Sequence, residues 1–473
     1  MGIGVAVTQL FRIHSTVQDG NGIELYVISH GLWLWFFTPA NIFYLKSETL
    51  LSLESQILSL ADRCVKCGLC LPHCPTYRFS LNENESPRGR ISLMQGLAST
   101  QLTLSPTLTR HLDHCLDCRN CERVCPAGVE YETLLDTTRH WLNQQPNNPP
   151  LPARQQQAIN ILSRPHRLRQ INKLLRLYQL TGLAWLLRKT GIIRLLGLGY
   201  LASLLPRLRP AANFTSIAVE SNPRGRVALF TGCLGSTLEQ STIQASLDIL
   251  QRLGYSVDLV TGQTCCGALA RHGGETDMAL ALAQQNLQAF DPAQVDAILY
   301  TSSGCGAHLI KYPELPWPQA SQQANASAFS SKLQEITAFL AQLEWPEHVR
   351  FRSSSMRIAV HEPCSQKNGL RQANLATELL RKIPGLQTET LPGNDRCCGA
   401  GGSYMLDHPQ MAQALRAEKL HTLAQLAPDS LVTTNPGCAL FLSAGLGHRS
   451  AIKVVHPVTV LAAHLQPRDT GQT

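Results

Sequence analysis

The chain has 473 residues, more than a single hydrophobic core usually serves, so two or three domains are expected. Its 44% hydrophobic content is that of an ordinary soluble protein, and its length, with no cleavable signal sequence, argues against a small disulfide-stapled secreted scaffold despite 16 cysteines. The formal net charge of +8 is local, because twelve Lys and Arg and no acidic residue fall between Asp136 and Glu220, and the other 29 basic residues face 33 acidic ones.

Residues 1–50 read as an extension of uncertain structure. Within them, residues 25–45 form a run of 21 without a charge, long enough in principle to span a bilayer. His30, Pro39 and Asn41 interrupt that run and no clear basic flank accompanies it.

From about Glu54 a helical pattern leads into two matched cysteine strings, Cys64-Val-Lys-Cys67-Gly-Leu-Cys70-Leu-Pro-His-Cys74-Pro75 and Cys115-Leu-Asp-Cys118-Arg-Asn-Cys121-Glu-Arg-Val-Cys125-Pro126. Each is the C-x2-C-x2-C-x3-C-P run that places three thiolates on one four-iron cluster and gives the fourth to the other cluster. That pattern assigns Cys64, Cys67, Cys70 and Cys125 to a first cluster and Cys74, Cys115, Cys118 and Cys121 to a second. A structural zinc site would instead use two cysteine or histidine pairs with a longer spacer. Arg88 and Arg90 lie between the strings, where positive charge would favour a reduced cluster if the two are not simply a solvated surface pair.

Residues 143–152 have the composition of a linker, which places a boundary after a cluster domain at 51–142. Residues 143–222 then read as linker and basic amphipathic helices, with Arg169, Lys173 and Arg176 at i, i+4 and i+7 on one face. Such a face suits an anionic membrane surface or a partner; with few aromatics for stacking, nucleic acid is not expected. Gly197-Leu-Gly199-Tyr-Leu-Ala202 imitates a dinucleotide fingerprint, but no strand precedes it, so it is set aside.

From Arg226 onward strands and helices alternate. Strands are predicted at 227–231, 257–260 and 297–301 with helices at 238–253 and 277–290. The order recurs with strands at 358–361, 387–391 and 431–434 and helices at 372–382 and 409–424. These define two repeats, 223–345 and 346–473, and each puts cysteines just past its strand ends. The first has Cys233, Cys265-Cys266-Gly267 and Cys305, with 31 then 38 residues between them; the second has Cys364, Cys397-Cys398-Gly399 and Cys438, with 32 then 39. Strands joined through helices are parallel, so these loops converge on one sheet edge, and four thiols per repeat suffice for a further iron-sulfur or other metal centre. The expected fold is α/β: an N-terminal all-α-type two-cluster ferredoxin domain followed by two repeated α/β Cys-Cys-Gly domains with parallel sheets.

From about residue 55 to the end the chain resembles the iron-sulfur subunits of bacterial glycolate oxidase (glycolate dehydrogenase). Pro75-Thr-Tyr, Ser86-Pro-Arg-Gly-Arg-Ile, Cys115-Leu-Asp-Cys-Arg-Asn-Cys-Glu and Ser303-Gly-Cys-Gly carry that resemblance together with the repeats. It implies two [4Fe-4S] clusters, no catalytic residue on this chain, and separate FAD-binding subunits that oxidise glycolate to glyoxylate. Electrons would pass onward to quinone, with the protein in the cytoplasm and peripheral on the inner face of the cell membrane. The wider Cys-Cys-Gly superfamily includes heterodisulfide reductase subunits, lactate-utilisation proteins and the iron-sulfur subunit of anaerobic glycerol-3-phosphate dehydrogenase, which keeps as alternatives a catalytic thiol or disulfide reductase subunit, or the iron-sulfur subunit of a lactate or glycerol-3-phosphate dehydrogenase. In that superfamily the last cysteine often belongs to a Cys-x-x-Cys pair. Here the sequence reads Cys305-Gly-Ala-His308 and Cys438-Ala-Leu-Phe441, so one ligand of the five-cysteine pattern is absent from both repeats and His308 could replace it in only one. No dinucleotide or flavin site is evident, so hydride chemistry is expected on another chain.

Overall fold

The computed structural model describes strands within residues 13–46, and residues 52–148, 151–219, 222–447 and 450–467. The chain divides into two units, residues 1–56 and 57–473. In the first, β1 (Ile13–Gln18) pairs antiparallel with β2 (Glu24–Ile28), and β3 (Trp33–Thr38) with β4 (Asn41–Lys46). The uncharged run at 25–45 is therefore strand where it is described, not a spanning helix. Its aromatic and β-branched residues favour extended backbone, and Pro39 interrupts any helical reading. Among the described residues no helix is long and apolar enough to cross a membrane.

The cluster-bearing part is helical. Helices α1 (Leu53–Asp62), α2 (Pro87–Ala98), α3 (Pro106–Asp113) and α4 (Tyr131–Asn143) bury Ile57, Met94, Leu112, Leu134 and Leu135 in one core. Ser86 and Ser105 cap α2 and α3 by accepting from Gly89 N and Leu108 N, and a proline follows each cap at the first helical position. The linker forms α5 (Ala153–Leu162), α6 (Pro165–Leu180) and α7 (Leu183–Lys189). Gly197 and Gly199 lie among short helical turns there, and the described residues from 153 to 196 that precede them form helices and turns.

Each repeat folds as a four-stranded parallel sheet. In the first, β5 (Gly225–Phe230), α8 (Gln240–Arg252), β6 (Tyr255–Asp258), α9 (Thr276–Ala289), β7 (Ala297–Tyr300), α10 (Ser303–Leu309) and β8 (Leu333–Glu335) give the strand order β6-β5-β7-β8. In the second, β9 (Arg357–Val360), α11 (Leu375–Leu380), β10 (Gln387–Thr390), α12 (Pro409–Leu426), β11 (Ser430–Val432), α13 (Pro436–Leu446), β12 (Lys453–Val455) and α14 (Pro457–His464) give β10-β9-β11-β12. The fourth strands, β8 and β12, have three residues each, too few to show an alternation in the sequence. Helix α11 starts later than the predicted 372–382, because Arg371 (φ 54°) and Asn374 (φ 62°) hold left-handed backbone just before it.

The repeats share a core. Val227, Leu229 and Ile243 of the first and Ile358, Val360, Leu379 and Val458 of the second belong to one buried cluster, with α8 packed on α14. Each sheet reverses its winding between its first and third strands in sequence, and loops beyond the carboxyl ends of such strands form the crevice where α/β sheets bind ligands.

Candidate iron-sulfur and thiol sites

The two ferredoxin-type strings fold alike because each places left-handed residues on both sides of its second cysteine: Lys66 (φ 56°) and Gly68 (φ 84°) around Cys67, and Asp117 (φ 50°) and Arg119 (φ 59°) around Cys118. The loop curls, and its successive sulfurs turn toward one centre. Cys64, Cys67, Cys70 and Cys125 line one small cavity. Cys74, Cys115, Cys118 and Cys121 line the next, and Cys121 and Tyr131 border both. Burial pushes the Cys70 thiol up to about 11 and raises Cys118 and Cys121 well above the ordinary thiol value. Thiolates in such surroundings need a bound cation, so converging sulfurs of this kind fit iron coordination.

The two arginines between the strings have different environments. Arg88 is at the surface, where Nε donates to Glu83 Oε1 at 2.7 Å and Nη1 to Lys66 O at 3.1 Å. Arg90 is 1% exposed and bonds to His111 O, Thr76 Oγ1, Glu85 O and Glu85 Oε2. Glu85 also meets His111 Nδ1 at 2.6 Å and His114 Nδ1 at 3.2 Å. Burial opposes its charge, but hydrogen bonds from His114 and His111 and the charge of Arg90 bring its pKa down to about 2. Cys74 Sγ lies 3.6 Å from Glu85 O and 3.3 Å from Thr76 Oγ1, so this buried clamp holds the cysteine of the first string that faces the second cavity.

In the repeats the cysteines predicted to converge do so. Cys233, Cys265, Cys266 and Cys305 form a chain of thiol contacts, as do Cys364, Cys397, Cys398 and Cys438, where Cys398 Sγ stands 2.9 Å from Cys438 Sγ. Contact with Cys233 and then Cys266 holds the Cys265 thiol well below its ordinary value, and Cys364 and Cys398 do the same for Cys397. The glycine after each pair is a steric requirement: Gly399 has φ +90°, and a Cβ there would lie 2.5 Å from Ala412 O. The third-loop cysteines sit in the first turns of α10 and α13, fixed by Ser302 and Asn435, whose side chains accept from Cys305 N and Cys438 N.

Both thiol sets, with Cys115, line a single cavity of about 960 Å³. The second ferredoxin-type string is tied to the second repeat: Asn368 Nδ2 donates to Cys118 O and Asn120 Oδ1, both at 2.7 Å, and Asn120 Nδ2 donates to Asp395 O at 2.8 Å. Leu116 and Cys118 pack in one buried cluster with Cys397 and Cys398. The first repeat is joined through charge, with His272 Nδ1 3.0 Å from Asp117 Oδ2 and 3.2 Å from Asp136 Oδ1. Burial works against protonation of His272, but Asp136 and Asp117 outweigh it and raise its pKa well above 6.5.

Several of these residues gave no sequence signal. His361 reaches within 4.8 Å of Cys398 and Cys438, whereas among the described residues His308 joins no such group and its buried Nε2 has no hydrogen-bond partner. Lys419 is 3% exposed beside the second thiol set and donates to Gly393 O. Its counterpart in the first repeat is Asn286, since Gly267 and Gly399 abut Ala279 and Ala412, each seven residues earlier.

A 4Fe-4S dicluster domain matches residues 60–129, a cysteine-rich domain matches 227–310 and 358–443, and a linker region of glycolate oxidase iron-sulfur subunits matches 153–205. The chain is 31% identical over 415 residues to the probable glycolate oxidase iron-sulfur subunit of Bacillus subtilis (strain 168), covering 84% of this chain and 92% of that protein. It is 32% identical over 397 residues to the glycolate oxidase iron-sulfur subunit of Escherichia coli (strain K12), covering 81% and 90%. Lactate utilization protein A of Geobacillus thermodenitrificans (strain NG80-2) is 28% identical over 237 residues, 50% of this chain and 98% of that protein.

Proposed function

The chain belongs to the family of glycolate oxidase iron-sulfur subunits, and from that premise we propose that it relays electrons taken from glycolate by FAD-binding partner subunits toward quinone. The iron-sulfur clusters supply reversible one-electron transfer when bound. The chain's own part is to hold them and to set their order. Cys64, Cys67, Cys70 and Cys125 hold the first [4Fe-4S] cluster, and Cys74, Cys115, Cys118 and Cys121 the second; the grouping of these sulfurs around two neighbouring cavities supports this. Cys233, Cys265, Cys266 and Cys305, and Cys364, Cys397, Cys398 and Cys438, are ligands of further centres, as their unbroken thiol contacts support. The units of the relay are 51–142, 143–222, 223–345 and 346–473, and the protein rests in the cytoplasm against the inner face of the membrane through Arg169, Lys173 and Arg176.

The observation that carries this reading is the packing of Leu116 and Cys118, from the second ferredoxin-type string, in one buried cluster with Cys397 and Cys398 of the second repeat. Changing Cys265, Cys266, Cys397 and Cys398 together to Ser should abolish glycolate-to-quinone transfer in the complex while glycolate still reduces the partner flavin. Quinone reduction at the parental rate would make the repeats a scaffold. The cavity shared by both thiol sets favours one second reading, catalytic thiol or disulfide reduction. Loss of flavin reduction in an assembled complex, or reduction of a small disulfide by the parental chain alone, would bring that reading forward.

A further inference from the structure

The linker carries an apolar face that, among the described residues, packs on no hydrophobic core. Leu174, Leu177, Leu180, Trp185, Leu195 and Leu196 are 58–87% exposed. A helix on the surface of a globular protein turns its leucines inward and its amides outward. Helix α6 departs from this: its inward face mixes half-buried Leu168, Ile171 and Leu175 with two amides. Asn172, 4% exposed, donates to Arg209 O at 2.9 Å, while Gln179 donates to Pro206 O at 2.7 Å and accepts from Leu208 N at 3.0 Å. The leucines on the other side point to solvent, and the short helices after α6 extend the apolar face to Leu198.

The charge around this face indicates what covers it. Residues 153–219 contain eleven Lys and Arg and no Asp or Glu. Arg167, Arg169 and Lys173 lie exposed on the first half of α6, and Arg188, Lys189 and Arg194 lie exposed among the outward apolar side chains. Lys189 Nζ sits 4.8 Å from the Trp185 ring, so one cation is already carried over an aromatic plane at the rim. A second copy of the chain would oppose this positive surface with another, which like-charge repulsion disfavours. Cations around a leucine-rich face with a tryptophan match the headgroup-to-acyl boundary of an anionic bilayer, where apolar side chains enter by several ångströms and basic ones reach phosphates.

We propose that residues 174–198 form an insertion surface that enters the outermost acyl layer of an anionic membrane, with the neighbouring arginines and lysines on the phosphates. This deepens the surface association proposed above, which invoked charge alone. The two make different demands: a purely electrostatic contact is screened at about 1 M salt, where the Debye length is about 3 Å, whereas insertion persists.

The full-length, cluster-loaded chain should sediment with mixed phosphatidylglycerol and phosphatidylcholine vesicles and keep part of that binding at high salt. Brominated lipids should quench the parental protein's tryptophan emission and lose most of that effect in Trp185→Phe. Changing Leu177, Leu180 and Leu195 together to Gln, with iron content unchanged, should weaken partition on the order of 100-fold, from the apolar area these side chains would no longer bury. If this variant binds like the parent while Arg169→Gln/Lys173→Gln/Arg176→Gln does not, insertion is overturned and the electrostatic contact stands. If the parent binds no vesicles, both fail. If the leucine variant keeps its vesicle binding but no longer co-purifies with flavin subunits, the face is a protein interface and the proposal is overturned.

Discussion

Replacing Arg90 by Met should destabilise the ferredoxin-type domain and empty its second cluster site before the first. Arg90 is fully enclosed, and its guanidinium bonds at 2.7 Å to His111 O, at 3.1 Å to Thr76 Oγ1 and at 2.6 Å to both Glu85 O and Glu85 Oε2. Methionine fills much of the volume but supplies none of these donors, so His111 O loses its side-chain partner, the buried Glu85 carboxylate loses its ion pair, and Glu85 O keeps only Thr76 Oγ1 and Cys74 Sγ. Breaking one side of a buried ion pair costs about 3–5 kcal/mol, and the histidines that remain on Glu85 put the expected loss nearer 3 than 5. Because Thr76 and Glu85 O also hold Cys74, the electron paramagnetic resonance signal of the second cluster should weaken first. Anaerobic urea titrations followed by cluster absorbance and far-ultraviolet circular dichroism would measure both effects. The pH dependence has a defined sign: with its pKa lowered to about 2 in the folded state, Glu85 contributes stability that is present above the ordinary carboxylate range and lost as the pH falls toward 2. Arg90→Met should shrink that acid-side loss, and pairing it with Glu85→Leu should recover part of the stability. A midpoint within about 1 kcal/mol of the parent, with both clusters retained, would refute the argument.

Two further outcomes follow from the sites. Cys74→Ser and Cys125→Ser should each damage the cluster opposite to their own string, giving complementary spectral losses; damage confined to the local string would show that the crossed ligand pairing is wrong. Exchanging the buried cation, as Lys419→Asn and Asn286→Lys, should lower the reduction potential of the second-repeat centre and raise that of the first, because a nearby positive charge favours the more negative, reduced state. Redox titration with spectroscopic detection reads both shifts, and unchanged potentials in both variants would remove Lys419 from the tuning of the relay.

What the sequence determined by itself was local or repetitive. The spacing of Cys64 to Cys74 and Cys115 to Cys125 specifies the curl of each loop, since ligand geometry there is set within a dozen residues. The matched Cys-Cys-Gly pairs identified the doubled α/β unit, because a parallel sheet necessarily collects its carboxyl-end loops on one edge. Tertiary structure alone decided the rest. Arg88 and Arg90 are two residues apart and chemically alike, yet one is at the surface and the other is enclosed, because α2 turns only Arg90 toward Glu85. Asn368 and Asn120 lie 248 residues apart, and nothing local marks the hydrogen bond that joins the second cysteine string to the second repeat. The leucines of α6 were legible as apolar, but whether they pack inward or face outward depends on what the remaining chain offers them. Among the described residues it offers partners to Asn172 and Gln179 and a half-buried site to Leu168, Ile171 and Leu175, but no hydrophobic core to Leu174, Leu177 and Leu180, so apolar residues of one helix end on opposite sides of the surface.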